Sequence, residues 1–229
     1  MDGAGAMTVI DTTSMAEMTL DELAVALAPL IADMAAFDGW SDVALVSAAE
    51  MAGVDLAVAR LAYPGGAIDM IGGWIASIDV AMQAAFPAET LAAMKVRERI
   101  RALVLFRLQA AGHQREALRR AIAVQALPQN AARSLKAGWN SADLMWRMAG
   151  DTATDYNYYT KRTTLLAVYG STLAVFVNDD SDEQAETRAF LDRRLDGVMR
   201  FEKIKAQLLR PRERFDPVRF LGRLRYPAR

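Results

Sequence analysis

His113 is the only histidine in the chain, and there is no cysteine. The missing thiol excludes a cysteine nucleophile, a thiolate metal site and a disulfide. Proton transfer by an imidazole has one candidate, and it sits beside Gly112 where a helix breaks. The pairs Gly65-Gly66 and Gly72-Gly73 lack the lysine and the preceding strand of a phosphate loop. No nucleophile elbow, dinucleotide fingerprint or Glu-x-x-His pair occurs. The carboxylates follow helix-surface spacing. The expectation is a protein that is not an enzyme, with no metal and no cofactor, whose chemistry is recognition rather than reaction.

Helices must position the groups that recognise. Of 229 residues, 53% are hydrophobic and 24% charged, with abundant alanine, leucine and methionine and little β-branched alternation. The expected class is all-α with a packed core. Thr19 and Glu22 form a capping box that opens a helix to about Phe37, and Pro29 argues for a kink or a shortened helix. Ser41 and Asp55 cap two short helices around Gly53, a helix-turn-helix pattern ending before Tyr63-Pro64-Gly65-Gly66. A helix from about Ala67 to Phe86 carries Met70, Trp74, Ile78 and Met82 at i+4 steps. Further helices run from about Ala88 to Ala111, Glu116 to Gln125 and Asn130 to Ala149, then from a cap at Asp155 to Val177, and from Ser181 or Asp182 to near Pro211. A last amphipathic piece spans Asp216 to about Leu224, making roughly nine or ten helices. The resulting segments are a loose start (1–18), a head (19–66), a body (67–210) and a basic end (211–229). This order and size of elements resembles the TetR-type regulators. That resemblance implies a ligand-holding helical body and dimerisation through its last long helices.

The charge is divided unevenly. Residues 1–94 hold thirteen carboxylates against the single base Arg60, whereas residues 210–229 hold seven arginines against Glu213 and Asp216. Affinity for DNA rests largely on neutralising phosphates. The candidate recognition helix, Asp55 to Tyr63, reads DLAVARLAY and offers almost nothing to a base edge. The head is therefore expected to be a structural subdomain without nucleic-acid binding.

The segment from Met145 to Ser181 reads MWRMAGDTATDYNYYTKRTTLLAVYGSTLAVFVNDDS. Its pattern, MW-x-x-AGD-x-x-TD-aromatic-N-aromatic-Y-T-basic-R, resembles the signature of the COQ-nine family, lipid-binding accessory proteins of ubiquinone biosynthesis. Leu127-Pro128 and Phe190-Leu191-x-x-Arg194 match more loosely, so the resemblance covers roughly residues 38–205. It implies a TetR-like fold, a homodimer, a hydrophobic pocket for an isoprenoid lipid or quinone precursor, and no DNA function. It also implies docking to the di-iron hydroxylase of demethoxyubiquinone, to which the precursor is presented, and a C-terminal amphipathic helix on the membrane. Carried onto matching positions, the docking patch is Asp143 and Met145 on one helix and Tyr158, Tyr159 and Arg162 on the next. Tyr158 and Arg162 are i and i+4 and share a face, and Tyr158 stands where the family commonly has Trp. Exposed aromatic rings beside an arginine are typical interface anchors.

A lipid pocket needs apolar walls, and Trp139, Trp146, Tyr169 and Phe176 are named as its lining because large rings often wall a cavity. The end segment interleaves arginine with aromatic and aliphatic residues. Phe215, Arg219, Phe220, Leu221, Arg223 and Leu224 are its expected membrane contacts. The apolar run Leu165 to Val177 is broken by Gly170, Ser171 and Thr172 and reads as a buried helix rather than a span. The absence of a positive n-region or an arginine-rich leader points to a bacterial cytoplasmic protein on the inner-membrane surface. The competing reading is a TetR-type regulator with a hydrophobic ligand.

Overall fold

Thr19 caps the first helix as its spacing to Glu22 predicts. Its hydroxyl accepts the Glu22 amide at 3.3 Å, and the Glu22 carboxylate accepts the Thr19 amide at 2.9 Å. The structure is a computed structural model that describes residues 15, 17–154 and 156–208, the side chains of 199 and 201–208 excepted. Ten α-helices and no strand are defined among the described residues. The head comprises α1 (Leu20–Asp38), α2 (Asp42–Ala52) and α3 (Leu56–Ala62). The body comprises α4 (Ala67–Ala85), α5 (Ala88–Ala92), α6 (Val96–Gly112), α7 (Arg115–Gln125), α8 (Ala131–Met148), α9 (Tyr156–Phe176) and α10 (Ala185–Leu208). Ser41 and Asp55 cap α2 and α3 through their side chains, as expected.

Two helices depart from the expectation. Pro29 neither ends nor shortens α1, which runs from Leu20 to Asp38 as one helix. Burial of Leu27, Ala28, Ile31 and Ala32 on both sides of the proline holds it together, so tertiary packing overrides the local preference. The stretch from Ala88 to Ala111 is two helices, broken between Ala92 and Val96. Side chains satisfy the opened ends. The Glu98 carboxylate accepts the Lys95 amide at 3.0 Å, and Arg99 donates to the Ala92, Met94 and Ala149 carbonyls at 3.2, 2.9 and 2.8 Å. The cap expected at Asp155 and the last piece from Asp216 lie outside the described residues.

The head is fastened along α4 and α7. The Trp40 indole donates to the Ala117 carbonyl at 3.0 Å and packs on Trp74 with ring centroids 5.4 Å apart. Tyr63 donates to the Ala24 carbonyl at 2.7 Å. Alanines 28, 32, 35, 44, 48, 49, 52 and 59 fill the head's interior, so its helices approach closely. At the tightest point, a Cβ on Gly73 would stand inside van der Waals contact with the Ala24 carbonyl oxygen. The adjacent Gly72 has no atom within 4 Å of its Cβ position. The pair makes a matched test by urea denaturation. Gly73→Ala is expected to cost roughly 1–3 kcal/mol through overpacking, and Gly72→Ala to gain up to about 1 kcal/mol through helix propensity.

Candidate ligand cleft and docking face

The corner between α8 and α9 is built around one buried cation. Arg162 is 1% exposed. Its Nε donates to Asp143 at 2.5 Å, its Nη1 donates to Asp151 at 3.0 Å, and its guanidinium lies 3.5 Å from the Tyr158 ring centroid. Asp151 reaches this position because Gly150 adopts φ +87°, which turns the chain back after α8, while the Asp151 amide donates to the Trp146 carbonyl at 2.9 Å. Lys161 pairs with the other Asp151 oxygen at 2.5 Å. The Trp146 indole donates to the Lys161 carbonyl at 2.9 Å. Burial by itself pushes the Asp151 carboxyl up, but the hydrogen bonds from Lys161 and Arg162 outweigh it and hold the group below the usual carboxylate range. The spacing of tryptophan, glycine, aspartate, tyrosine and arginine in this segment is therefore the spacing of one interlocked corner.

Two surfaces leave that corner. On one, Trp139 packs against Tyr158 and Tyr159, with centroids 6.3 and 6.2 Å away. Tyr159 is 60% exposed and Tyr156 more so. The Tyr158 hydroxyl donates to Asp143 at 3.2 Å. On the other surface, a cleft of about 220 Å³ opens among α6, α8, α9 and α10. Ile100, Leu165, Val168, Leu195 and Val198 form its apolar walls, with Trp146, Lys161 and Arg97 among its other lining residues. Beside it, a shallower groove of about 520 Å³ runs between α9 and α10 and shares Thr164, Val168 and Val198 with it.

The sequence-derived sites fare unevenly. Tyr158 and Tyr159 stand together on the docking face, and Asp143 lies beneath them. Met145 is fully buried in the core, and Arg162 is consumed by its two carboxylates, so neither offers a surface contact in this chain. Spacing alone places residues on a shared face without saying whether that face is outward. Of the four rings assigned to the pocket, only Trp146 lines the cleft. Trp139 belongs to the aromatic platform, Tyr169 lies 5.3 Å from the Arg107 guanidinium, and Phe176 is buried against Gly112. The membrane contacts Phe215, Arg219, Phe220, Leu221, Arg223 and Leu224 lie outside the described residues. Asp151 and Lys161 were missed, although both belong to the motif. Their signal was the offset of ten residues that returns one helix to the end of another. Among the described residues, no group of three or more His, Asp or Glu is placed to hold a metal ion, and no helix is long and apolar enough to cross a membrane.

The turn into α10 depends on a second buried carboxylate. Asp179 accepts from the amide and hydroxyl of Ser181 at 2.9 and 2.5 Å, and from those of Thr187 at 2.8 and 2.5 Å. Burial raises its pKa, but these four donors overcome that and hold it well below the ordinary range.

A helix-turn-helix head on a long-helix body defines the class as a TetR-like helical protein. A TetR transcriptional regulator of Nitrosomonas europaea has this fold: its crystal structure superposes with a TM-score of 0.62 at 22% identity, covering 76% of this chain and 97% of that one. Within that class, residues 131–202, which run from α8 into α10, match the model of the COQ9 family. The rat protein named mitochondrial ubiquinone biosynthesis protein COQ9 is 40% identical over 80 residues, which is 35% of this chain and 26% of that protein. Its human counterpart is 39% identical over 80 residues, 35% and 25% of the two chains. The corresponding Dictyostelium discoideum protein is 31% identical over 85 residues, 37% and 28%. The matched segment spans about a quarter of the length of these relatives. The family match is thus confined to α8–α10 and is narrower than the stretch of residues 38–205 expected from the motif. The expected bacterial cytoplasmic location is corrected: all these relatives are named as mitochondrial proteins.

Removing Arg162 takes the buried partner from two carboxylates, leaving Asp143 to Arg147 and the Tyr158 hydroxyl, and Asp151, whose side chain is only 4% exposed, to Lys161. Arg162→Met is expected to cost about 3–5 kcal/mol in urea denaturation. The depressed carboxyls at 151 and 179 predict an acid limb. Their stabilisation is complete above the unfolded value of about 3.9 and is lost as pH falls through the lower folded values. Asp179→Asn should therefore be less stable at neutral pH, with the gap to wild type closing below about pH 4. A gap that stays constant with pH would remove the carboxylate from the account.

Proposed function

We propose that the chain is a non-catalytic, lipid-binding accessory protein of ubiquinone biosynthesis. It holds an isoprenoid quinone precursor in the cleft and presents it, at a membrane surface, to a demethoxyubiquinone hydroxylase docked on the aromatic platform. One observation carries the reading: consecutive residues of α9 serve both surfaces. Thr160 and Lys161 line the cleft, while Tyr158, Tyr159 and Arg162 build the platform. A partner seated on the platform would lie next to whatever the cleft holds. The cleft alone is small for a prenylated ring, since ligand pockets commonly occupy about 300–1,000 Å³. The adjoining α9–α10 groove lengthens it into a track suited to a chain-like tail. A second copy packed on α9 and α10 would roof that track, which fits a homodimer.

The competing reading is a TetR-type regulator. It meets a physical obstacle in the head, where Arg60 donates to both oxygens of Asp42 at 3.0 and 2.7 Å. The base that α3 would bring to a phosphate is already neutralised, and its neighbours Val58 and Leu61 are exposed and apolar.

Thr164 lies where cleft and groove meet, so Thr164→Trp should lower co-purified prenylated quinone or precursor at least fivefold by mass spectrometry. Its melting temperature should change little. Tyr159→Ala should weaken hydroxylase binding at least tenfold, equivalent to about 1.4 kcal/mol, with an unaltered fold. Co-purification of phospholipid alone, or none of any lipid, counts against presentation. Unchanged hydroxylase binding by Tyr159→Ala counts against the platform.

A further inference from the structure

On the far side of the body, α4 and α8 face each other across a second cleft of about 400 Å³. One face of α4 supplies Ile68, Asp69, Gly72, Ile75, Ala76 and Asp79, spaced to lie along a single helical stripe. Its opposite wall is the i, i+3, i+4, i+7 face of α8, formed by Arg133, Lys136, Ala137 and Asn140. The middle of the stripe is hollow because Gly72 carries no side chain and meets no atom within 4 Å of its Cβ position. No contact among the described residues requires that glycine, whereas its neighbour Gly73 is demanded by the approach of α1. A glycine inside a helix costs about 1 kcal/mol relative to alanine, and here its effect is to widen the cleft.

The charges are arranged with one left over. Arg133 pairs with Asp69 at 2.7 Å across the mouth. At the inner end, Asp79 pairs in charge with Arg107, which is 2% exposed and donates to the Ser141 hydroxyl at 2.9 Å, while Arg107 Nε and Nη1 and Asp79 Oδ1 make no hydrogen bond. Both lining carboxylates are thus neutralised. Lys136, on the exposed rim, is in none of the ion pairs among the described residues. Between these polar ends run the apolar flanks Ile68, Ile75, Ala76 and Ala137. An apolar trough with an unpaired cation at its rim has the form of a site for an amphiphile of opposite charge.

We propose that the α4–α8 cleft binds a small anionic amphiphile, a medium-chain carboxylate in class. Its head lies against Lys136 and its chain lies in the gap at Gly72 along Ile75, Ala76 and Ala137. Lys136 sets the sign of the ligand, and Gly72 makes the room. This site is separate from the cleft at α9 and α10, and it stands or falls independently of the function proposed for that cleft.

Isothermal titration of the full chain with octanoate tests it, with octylamine as the charge-reversed probe. Octanoate should bind saturably near one per chain, weaken as salt rises, and bind at least tenfold more tightly than octylamine. Gly72→Leu fills the hollow with a better helix former and should abolish binding while melting at or above the wild-type temperature. Lys136→Glu lies on the exposed rim and should weaken octanoate roughly threefold to fivefold, the scale of one exposed charge pair. Thr164→Trp, in the other cleft, should leave octanoate binding unchanged. Failure to saturate, equal binding of octylamine, octanoate binding that survives Gly72→Leu, or binding by Lys136→Glu as tight as wild type would each overturn the assignment. Loss of binding in Thr164→Trp would place the ligand in the other cleft and overturn it as well.

Discussion

Arg162 is the constraint on which the family segment depends. A guanidinium taken out of water loses several kcal/mol of hydration, and a single carboxylate seldom restores it. Here the planar fork serves two carboxylates from different places in the chain, Asp143 on α8 and Asp151 in the turn after it. The Tyr158 ring covers its face. Lysine cannot replace it, because one ammonium has no fixed fork with which to hold two acceptors and stack on a ring at once. The arginine fixes where the turn after α8 must pass and how α9 leaves it. The cleft walls and the aromatic platform inherit their positions from that angle.

The rest of the body uses the same device in weaker forms, and the head uses a different one. Arg99 joins the break between α5 and α6 to the end of α8, and Arg115 holds the end of α9 through the carbonyls of Phe176 and Asp179. Arg101 and Arg97 tie α6 to Asp192 and Asp196 on α10. Long basic side chains bridge these helices at the margins of a core that buries Leu103, Val104, Leu108, Leu165, Phe176 and Leu191. In the head, alanine packing brings the helices close, with Arg60–Asp42 between α2 and α3 and Tyr63 on the Ala24 carbonyl as its polar bridges. The charge division of the sequence is therefore also a division in how the two parts cohere: small-residue packing where bases are scarce, arginine clamps where they are plentiful.

Much of the fold was legible because its signals are local. Thr19 with Glu22, Ser41 and Asp55 have side chains that satisfy amides two or three residues away, and all three cap as their spacing demands. The break before Val96 was hidden because its ends are satisfied by Glu98 and Arg99, residues that read equally well as ordinary helix surface. The site was legible as a motif but not as a geometry. The i, i+4 relation of Tyr158 and Arg162 put them on one face, yet whether that face met water depended on Asp143 and Asp151 arriving from another helix and a turn. Ring size was an equally poor guide to the pocket. Phe176 is large, but it is occupied in closing the end of α6 at Gly112, while smaller residues such as Val168 and Val198 line the opening.

The corner joins its two surfaces through a shared counter-ion. Asp151 gives one oxygen to Lys161, which lines the cleft, and the other to Arg162, which supports the platform. Those cations are successive residues of one helix, so they leave it about 100° apart while their charges meet on one carboxylate. A change in the demand on either oxygen alters the balance at the other, because a carboxylate buried to this extent has no water to draw on instead. The cleft and the platform are thus two faces of a single electrostatic unit. This explains why the charged residues of the segment are spaced as a block: moving Asp143, Asp151 or Arg162 would take a partner from a buried charge.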